Sequence, residues 1–169
     1  MRNERRLDFI FEMIHQGKST DDIVKALAQR NAGVIRGRES EEIACNFLQK
    51  LPYVGKAVII SNNYKQDAMK RDIKVTIDEY LFDRIFYAPL AIPQGELWVQ
   101  VKSCSLNIKN ARKKIQHEYR VDSKMVNTVL NKERLILLNA RESEDKLEKI
   151  FNYNILKLNN YWHHLNIKN

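Results

Sequence analysis

Two cysteines, Cys45 and Cys104, are all this chain has, and they lie far apart with no CxxC pair. That spacing offers no thiol metal clamp or redox couple, and it reads as reduced thiols in a cytoplasmic protein. Long apolar runs are missing too, so neither a bilayer-spanning helix nor a signal-peptide core is expected. The sequence contains no HExxH, no glycine-rich phosphate loop, no nucleophile elbow and no internal repeat. These absences exclude the metalloprotease, P-loop and hydrolase chemistries that depend on them. Gly17-Lys18-Ser19-Thr20 looks like the end of a P-loop, but Glu12 stands where its first glycine belongs and no strand precedes it.

What is present points elsewhere. A hydrophobic content of 44% over 169 residues supplies one core, with room for a small appendage. Lysine and arginine number 29 against 21 acids, for a net charge of +8. Such an excess favours polyanionic partners, chiefly nucleic acid.

Two stretches organise the rest. In Asp72-Ile73-Lys74-Val75-Thr76-Ile77-Asp78 apolar and polar residues alternate, as in a strand with one buried face. Trp98-Val99-Gln100-Val101-Lys102 is rich in β-formers and sets Gln100 and Lys102 on one face of a second strand. If the strands pair, Asp72 starts one beside an amide oxygen and an ammonium from the other. A carboxylate with a neutral oxygen suits a hard cation such as Mg²⁺. A neighbouring lysine could position water or offset charge on a phosphoryl group.

In these residues the chain resembles the PD-(D/E)xK nuclease superfamily. That pattern is a lone Asp at a strand, an acidic-x-Lys triplet on the next strand, and often a helical Glu before both. Here Asp72, Gln100-Val101-Lys102 and Glu41 match it, with Arg71 before Asp72 instead of proline and Gln100 in the acidic place. The resemblance spans about residues 38 to 140, by order of elements rather than by letters. It implies Mg²⁺-dependent hydrolysis of DNA phosphodiesters, with Mn²⁺ able to substitute, as in restriction, homing and junction-resolving enzymes. Asp72 and the Gln100 side-chain oxygen would ligate the metal, with the Val101 carbonyl as a third ligand. Lys102 would orient or activate the attacking water, and Glu41 would hold the metal or its water shell. Cutting both strands implies a homodimer, since one such site cleaves one strand.

Each residue also has an ordinary reading. A lone Asp or Lys is commonly a solvated surface group. Glu41 lies at the edge of an apolar helical stripe (Ile43, Ala44, Phe47, Leu48, Leu51), where it also suits a helix N-terminus. Asp67 is the alternative for the lone acid. A basic segment follows the second strand, with Lys109, Arg112, Lys113, Lys114, Arg120 and Lys124. It is expected to be helical from Ala111 to Tyr119 and to hold phosphates, or else to be a solvated face.

The expected fold is α/β (α+β): a mixed central sheet of about four strands flanked by helices. Residues 1–37 form an N-terminal two-helix extension and 38–169 the nuclease-like domain. The extension spans about Arg5 to Ala32, Gly33 and Gly37 loosen the chain, and a new helix begins at Ser40 or Glu41. Ala57-Val58-Ile59-Ile60 reads as a first central strand, Leu135-Ile136-Leu137-Leu138 as a buried strand, and the segment from Ser143 as a closing helix. Aromatic residues Tyr80, Phe82, Phe86 and Tyr87 crowd the link between the paired strands, to stack bases, join a dimer or pack the sheet. Two other functions stay open: a catalytically inactive nucleic-acid-binding module of the same fold, and an interaction protein whose charge is incidental.

Overall fold

Gly17 takes a left-handed φ of 69° and closes the first helix, α1 (Arg2–His15). The Gly17 N–H donates to the Ile14 carbonyl and the Lys18 N–H to that of Met13, which satisfies two of the helix's last acceptors. Ser19 then caps α2 (Thr20–Lys50) through its hydroxyl, which accepts from the Asp22 N–H at 3.2 Å. The computed structural model describes residues 2–60 and 71–167. Asp67 and the turn expected at Ser61-Asn62-Asn63 lie outside the described residues. Contacts divide the chain into two units, Met1–Arg38 and Glu39–Asn169.

The break expected after Ala32 does not occur: α2 runs through Gly33 and Gly37 without interruption. A helical glycine costs about 1 kcal/mol relative to alanine but leaves every backbone hydrogen bond available. With no proline in the segment, nothing forces the helix to stop. The helix expected to start at Ser40 or Glu41 is therefore the last third of a longer one.

In the second unit the sheet order is β1 (Val54–Ile59), β2 (Ile73–Ile77), β3 (Glu96–Lys102) and β4 (Leu135–Asn139). The first three are antiparallel neighbours and β4 runs parallel to β3. The mixed α+β architecture read from the sequence is thus the observed one. β1 starts three residues earlier than Ala57 and, among the described residues, is an edge strand and not a central one. Among the described residues it pairs only with β2, and its Val58 is exposed.

Ile73, Val75 and Ile77 of β2 and Leu97, Val99 and Val101 of β3 turn to one face. They pack with Ala44, Phe47 and Leu48 of α2 and with Leu147, Phe151, Ile155 and Leu158 of the closing helix, α6 (Glu144–Ile167). Between β3 and β4 the chain forms α4 (Ser105–Tyr119) and α5 (Val126–Lys132). Ile115, Val126 and Leu130 make a smaller cluster there, against Leu135 and Leu137. α4 begins six residues before the Ala111 expected, almost directly after the β3 strand.

The aromatic link holds α3 (Glu79–Phe86), capped by the Asp78 carboxylate on the Leu81 N–H at 2.9 Å. Phe82 and Phe86 pack edge-on against Tyr53 at centroid distances of 6.1 and 5.0 Å, the role of sheet packing. Beyond α3, Asn159 is a buried polar anchor, 2% exposed. Its Oδ1 accepts from the Ala91 N–H at 2.6 Å and its Nδ2 donates to the Pro89 carbonyl at 3.0 Å. Asn159→Leu leaves both groups without these partners, so urea unfolding should show a loss of about 2–3 kcal/mol. An unchanged midpoint would show that the link re-solvates freely.

Candidate phosphate and metal site

Asp72 stands immediately before β2. Its backbone bridges both neighbours just beyond the regular ladder, the Ile60 N–H donating to its carbonyl on the β1 side at 2.8 Å and its own N–H to the Val99 carbonyl on the β3 side at 3.0 Å. β3 continues past this point. The Val101 N–H, with no β2 backbone partner left, donates to the Asp72 carboxylate Oδ2 at 2.7 Å. In an antiparallel ladder the N–H and C=O of one residue point to the same side. The Val101 carbonyl therefore also faces the Asp72 side.

Ile73 is opposite Val99 and Lys74 opposite Trp98, and Asp72, just before Ile73, meets β3 through its carboxylate at Val101, whose neighbours are Gln100 and Lys102. Trp98, Gln100 and Lys102 alternate with the core residues and share the face covered by α4 and α5. On that face Gln100, Lys102, Asn107, Asn110, Lys113 and Lys114 line a cavity of about 540 Å³. Gln100 is only 2% exposed, so what little of it reaches the surface opens on this cavity. A buried amide at the wall of a cavity is suited to a ligand or an ordered water. The α4 N-terminus follows closely after Lys102, which adds the positive end of its dipole.

Glu41 sits half-buried on α2, one turn before Ala44 and Cys45. That stripe packs on the opposite face of the sheet, where the Cys45 thiol donates to the Ala57 carbonyl. Asp72 thus meets β3 at Val101, between Gln100 and Lys102, although it is not among the described residues that line the cavity. Glu41 stands on α2 next to the stripe that packs on the core face. The basic residues divide too. Lys113 and Lys114 line the cavity, and Lys109 is exposed on the same helix. Arg112 turns away, its Nη2 donating to Asn127 Oδ1 at 2.9 Å. Arg120 ends α4 in a left-handed conformation, φ 51°. Asn107 and Asn110 join the site beyond the residues expected from the sequence; their i, i+3 spacing one turn before Lys113 and Lys114 is the available signal.

No family model, curated protein or solved structure matches this chain. Any functional reading therefore stands on the residues themselves.

Three ammonium groups and three amides around one cavity favour an anion with several oxygens. A metal faces a different balance. Among the described residues no three His, Cys, Asp or Glu side chains come together. The donors at hand are one carboxylate, the Gln100 oxygen and the Val101 carbonyl, all hard oxygens. Such a set fits Mg²⁺ that completes its shell with water and substrate phosphate rather than with protein.

The exposed aromatics are not part of this site. Tyr80 and Tyr87, the latter 94% exposed, belong to the segment after Ile77, whereas Asp72 precedes Ile73. The length of β2, at about 3.3 Å per residue, separates them from the cavity.

Proposed function

We propose that this chain is a Mg²⁺-dependent endodeoxyribonuclease of the PD-(D/E)xK type. What chiefly supports this is the convergence of Gln100, Lys102, Lys113 and Lys114 on one cavity, with the Asp72 carboxylate bound at Val101, between Gln100 and Lys102 in sequence. Lys113 and Lys114 hold phosphates of the strand, and the buried Gln100 amide fixes one oxygen near the sheet. Lys102, between them, orients the attacking water or takes its proton. Asp72, Gln100 and the Val101 carbonyl would hold Mg²⁺ or Mn²⁺, which supplies Lewis-acid stabilisation of the phosphoryl oxygens when bound. Glu41 would hold the metal or its water shell.

A specific observation favours a second reading, a nucleic-acid-binding module without catalysis. Asp72 Oδ2 already accepts from Val101, and Gln100 adds no negative charge to attract a cation. Supercoiled, linear and four-way-junction DNA incubated with Mg²⁺ or Mn²⁺ separates the two. Cleavage that stops in EDTA is the expected result, whereas retained gel shifts without cleavage would establish the second reading.

Phosphate binding has a separate signature. Replacing Lys113 and Lys114 with Ala should weaken binding to all sequences alike. The plot of log affinity against log salt should flatten by about 0.9 for each phosphate no longer neutralised on duplex DNA. An unchanged slope would make the two lysines a solvated face.

The proposed protein is a cytoplasmic homodimer. Both cysteines are free thiols, and among the described residues no helix is long and apolar enough to cross a membrane. The unit Met1–Arg38 has no buried residue from Leu7 onward, while Leu7, Phe11, Ile14, Val24, Val34 and Ile35 are each more than half exposed. Two helices without a core of their own gain stability by pairing with a second hairpin into a four-helix bundle. Phe11→Asp with Ile35→Asp should give a monomer in sedimentation equilibrium. An unaltered mass would place the dimer interface elsewhere or show that none exists.

A further inference from the structure

A second cavity, of about 380 Å³, lies in the Glu39–Asn169 unit where α4, α5, β4 and α6 meet. It is separate from the Gln100 cavity and shares no residue with it. Its floor is apolar, made by Leu130 of α5 and by Leu135 and Leu137 on the part of β4 that the helices leave incompletely covered. Its wall carries two cations and several amides and, among the described residues, no carboxylate. Arg112 is fixed by Asn127, which accepts one of the guanidinium's five donors and leaves the others for a ligand. Lys157 comes from α6, its ammonium 4.4 Å from the centroid of the Tyr153 ring. Asn154 donates through Nδ2 to the Ile150 carbonyl, and its Oδ1 is an acceptor at the same wall. Trp162 Nε1 donates to the Asn131 carbonyl at 3.1 Å and ties α6 to α5, so the walls come from braced elements.

An apolar floor accepts a flat ring, amides read donors and acceptors on its edge, and paired cations without a carboxylate select negative charge. We propose that this cavity binds a nucleobase bearing a phosphate, with the base over the leucines and the phosphate between Arg112 and Lys157. That chemistry is offered by a free mononucleotide or by an unpaired nucleotide of a strand. The site does not rest on the nuclease reading, since none of its residues belongs to the Gln100 cavity.

Titration calorimetry of the full chain with adenosine 5′-monophosphate, adenosine and inorganic phosphate tests it. The monophosphate should bind more tightly than either fragment. Lys157→Gln, which alters a side chain at the rim and leaves the core intact, should weaken it about tenfold. Leu137→Phe, which fills the floor, should abolish binding while the Lys113→Ala, Lys114→Ala variant keeps it. Competition by a single-stranded oligonucleotide at this site would identify the strand as the source, and its failure the free nucleotide. The proposal is overturned if phosphate binds as well as the monophosphate, or if Lys157→Gln leaves the affinity unchanged.

Discussion

Asp72→Asn should abolish DNA cleavage while leaving the fold intact. The amide oxygen that replaces Oδ2 still accepts from the Val101 N–H, so the end of the β2–β3 ladder keeps its bond. What disappears is the negative charge, the one anionic group among the donors proposed for the metal. Losing a metal-ligating charge should lower the rate by at least about 100-fold, more than is typical for a residue one shell out. Asp72→Ala is a poorer test, because it also deprives the Val101 N–H of its partner at a cost of about 1–3 kcal/mol. In a chain of this size that lowers the melting temperature by about 2–4 °C per kcal/mol. Comparing the two separates charge from capping. Cleavage at the wild-type rate by Asp72→Asn would make Asp72 a strand-end cap and nothing more.

Lys102→Ala should have an effect of similar size on the rate and a small one on affinity. A positioned group that moves or orients a proton contributes about 10²–10⁴-fold, whereas one phosphate contact among several contributes little to total binding. Lys102→Arg distinguishes the two ways the lysine could act. A guanidinium keeps the charge and can orient water or stabilise a phosphoryl oxygen, but it does not give up its proton at accessible pH. Partial rescue by arginine therefore means orientation and electrostatics. No rescue, with DNA binding retained, means that the amine itself takes the proton. Full activity in Lys102→Ala would remove the residue from the reaction.

The parts of this site governed by short-range periodicity were legible in the sequence. Alternation in Ile73, Val75 and Ile77 and the parity of Gln100 and Lys102 follow from the pleat alone. Once the strands pair, these bring Asp72 to β3 at Val101, between Gln100 and Lys102. The fold class followed from the same patterns, because each apolar stripe had to find a layer to cover it. Choices made by tertiary context were not legible. Gly33 and Gly37 carry a helix through because flanking residues outweigh their cost, a sum that no single glycine reveals. β1 became an edge strand because the order of strands is decided by pairing, not by its own apolar run. Arg112 shares a basic run with Lys113 and Lys114, yet about 100° of helical rotation per residue sends it to a different cavity. Asn159 looks like any polar residue on a terminal helix until the α3–β3 link presents a carbonyl and an N–H to it.

The most direct test of the central claim is strand cleavage measured on three purified preparations in parallel. Wild type, Asp72→Asn and Lys102→Ala are each assayed with end-labelled DNA in Mg²⁺, and binding is measured on the same samples in EDTA. The expected result is cleavage by wild type alone, with comparable binding by all three. Equal cleavage by all three would trace the activity to a contaminant or another site, and no cleavage by wild type in Mg²⁺ or Mn²⁺ would contradict the account outright.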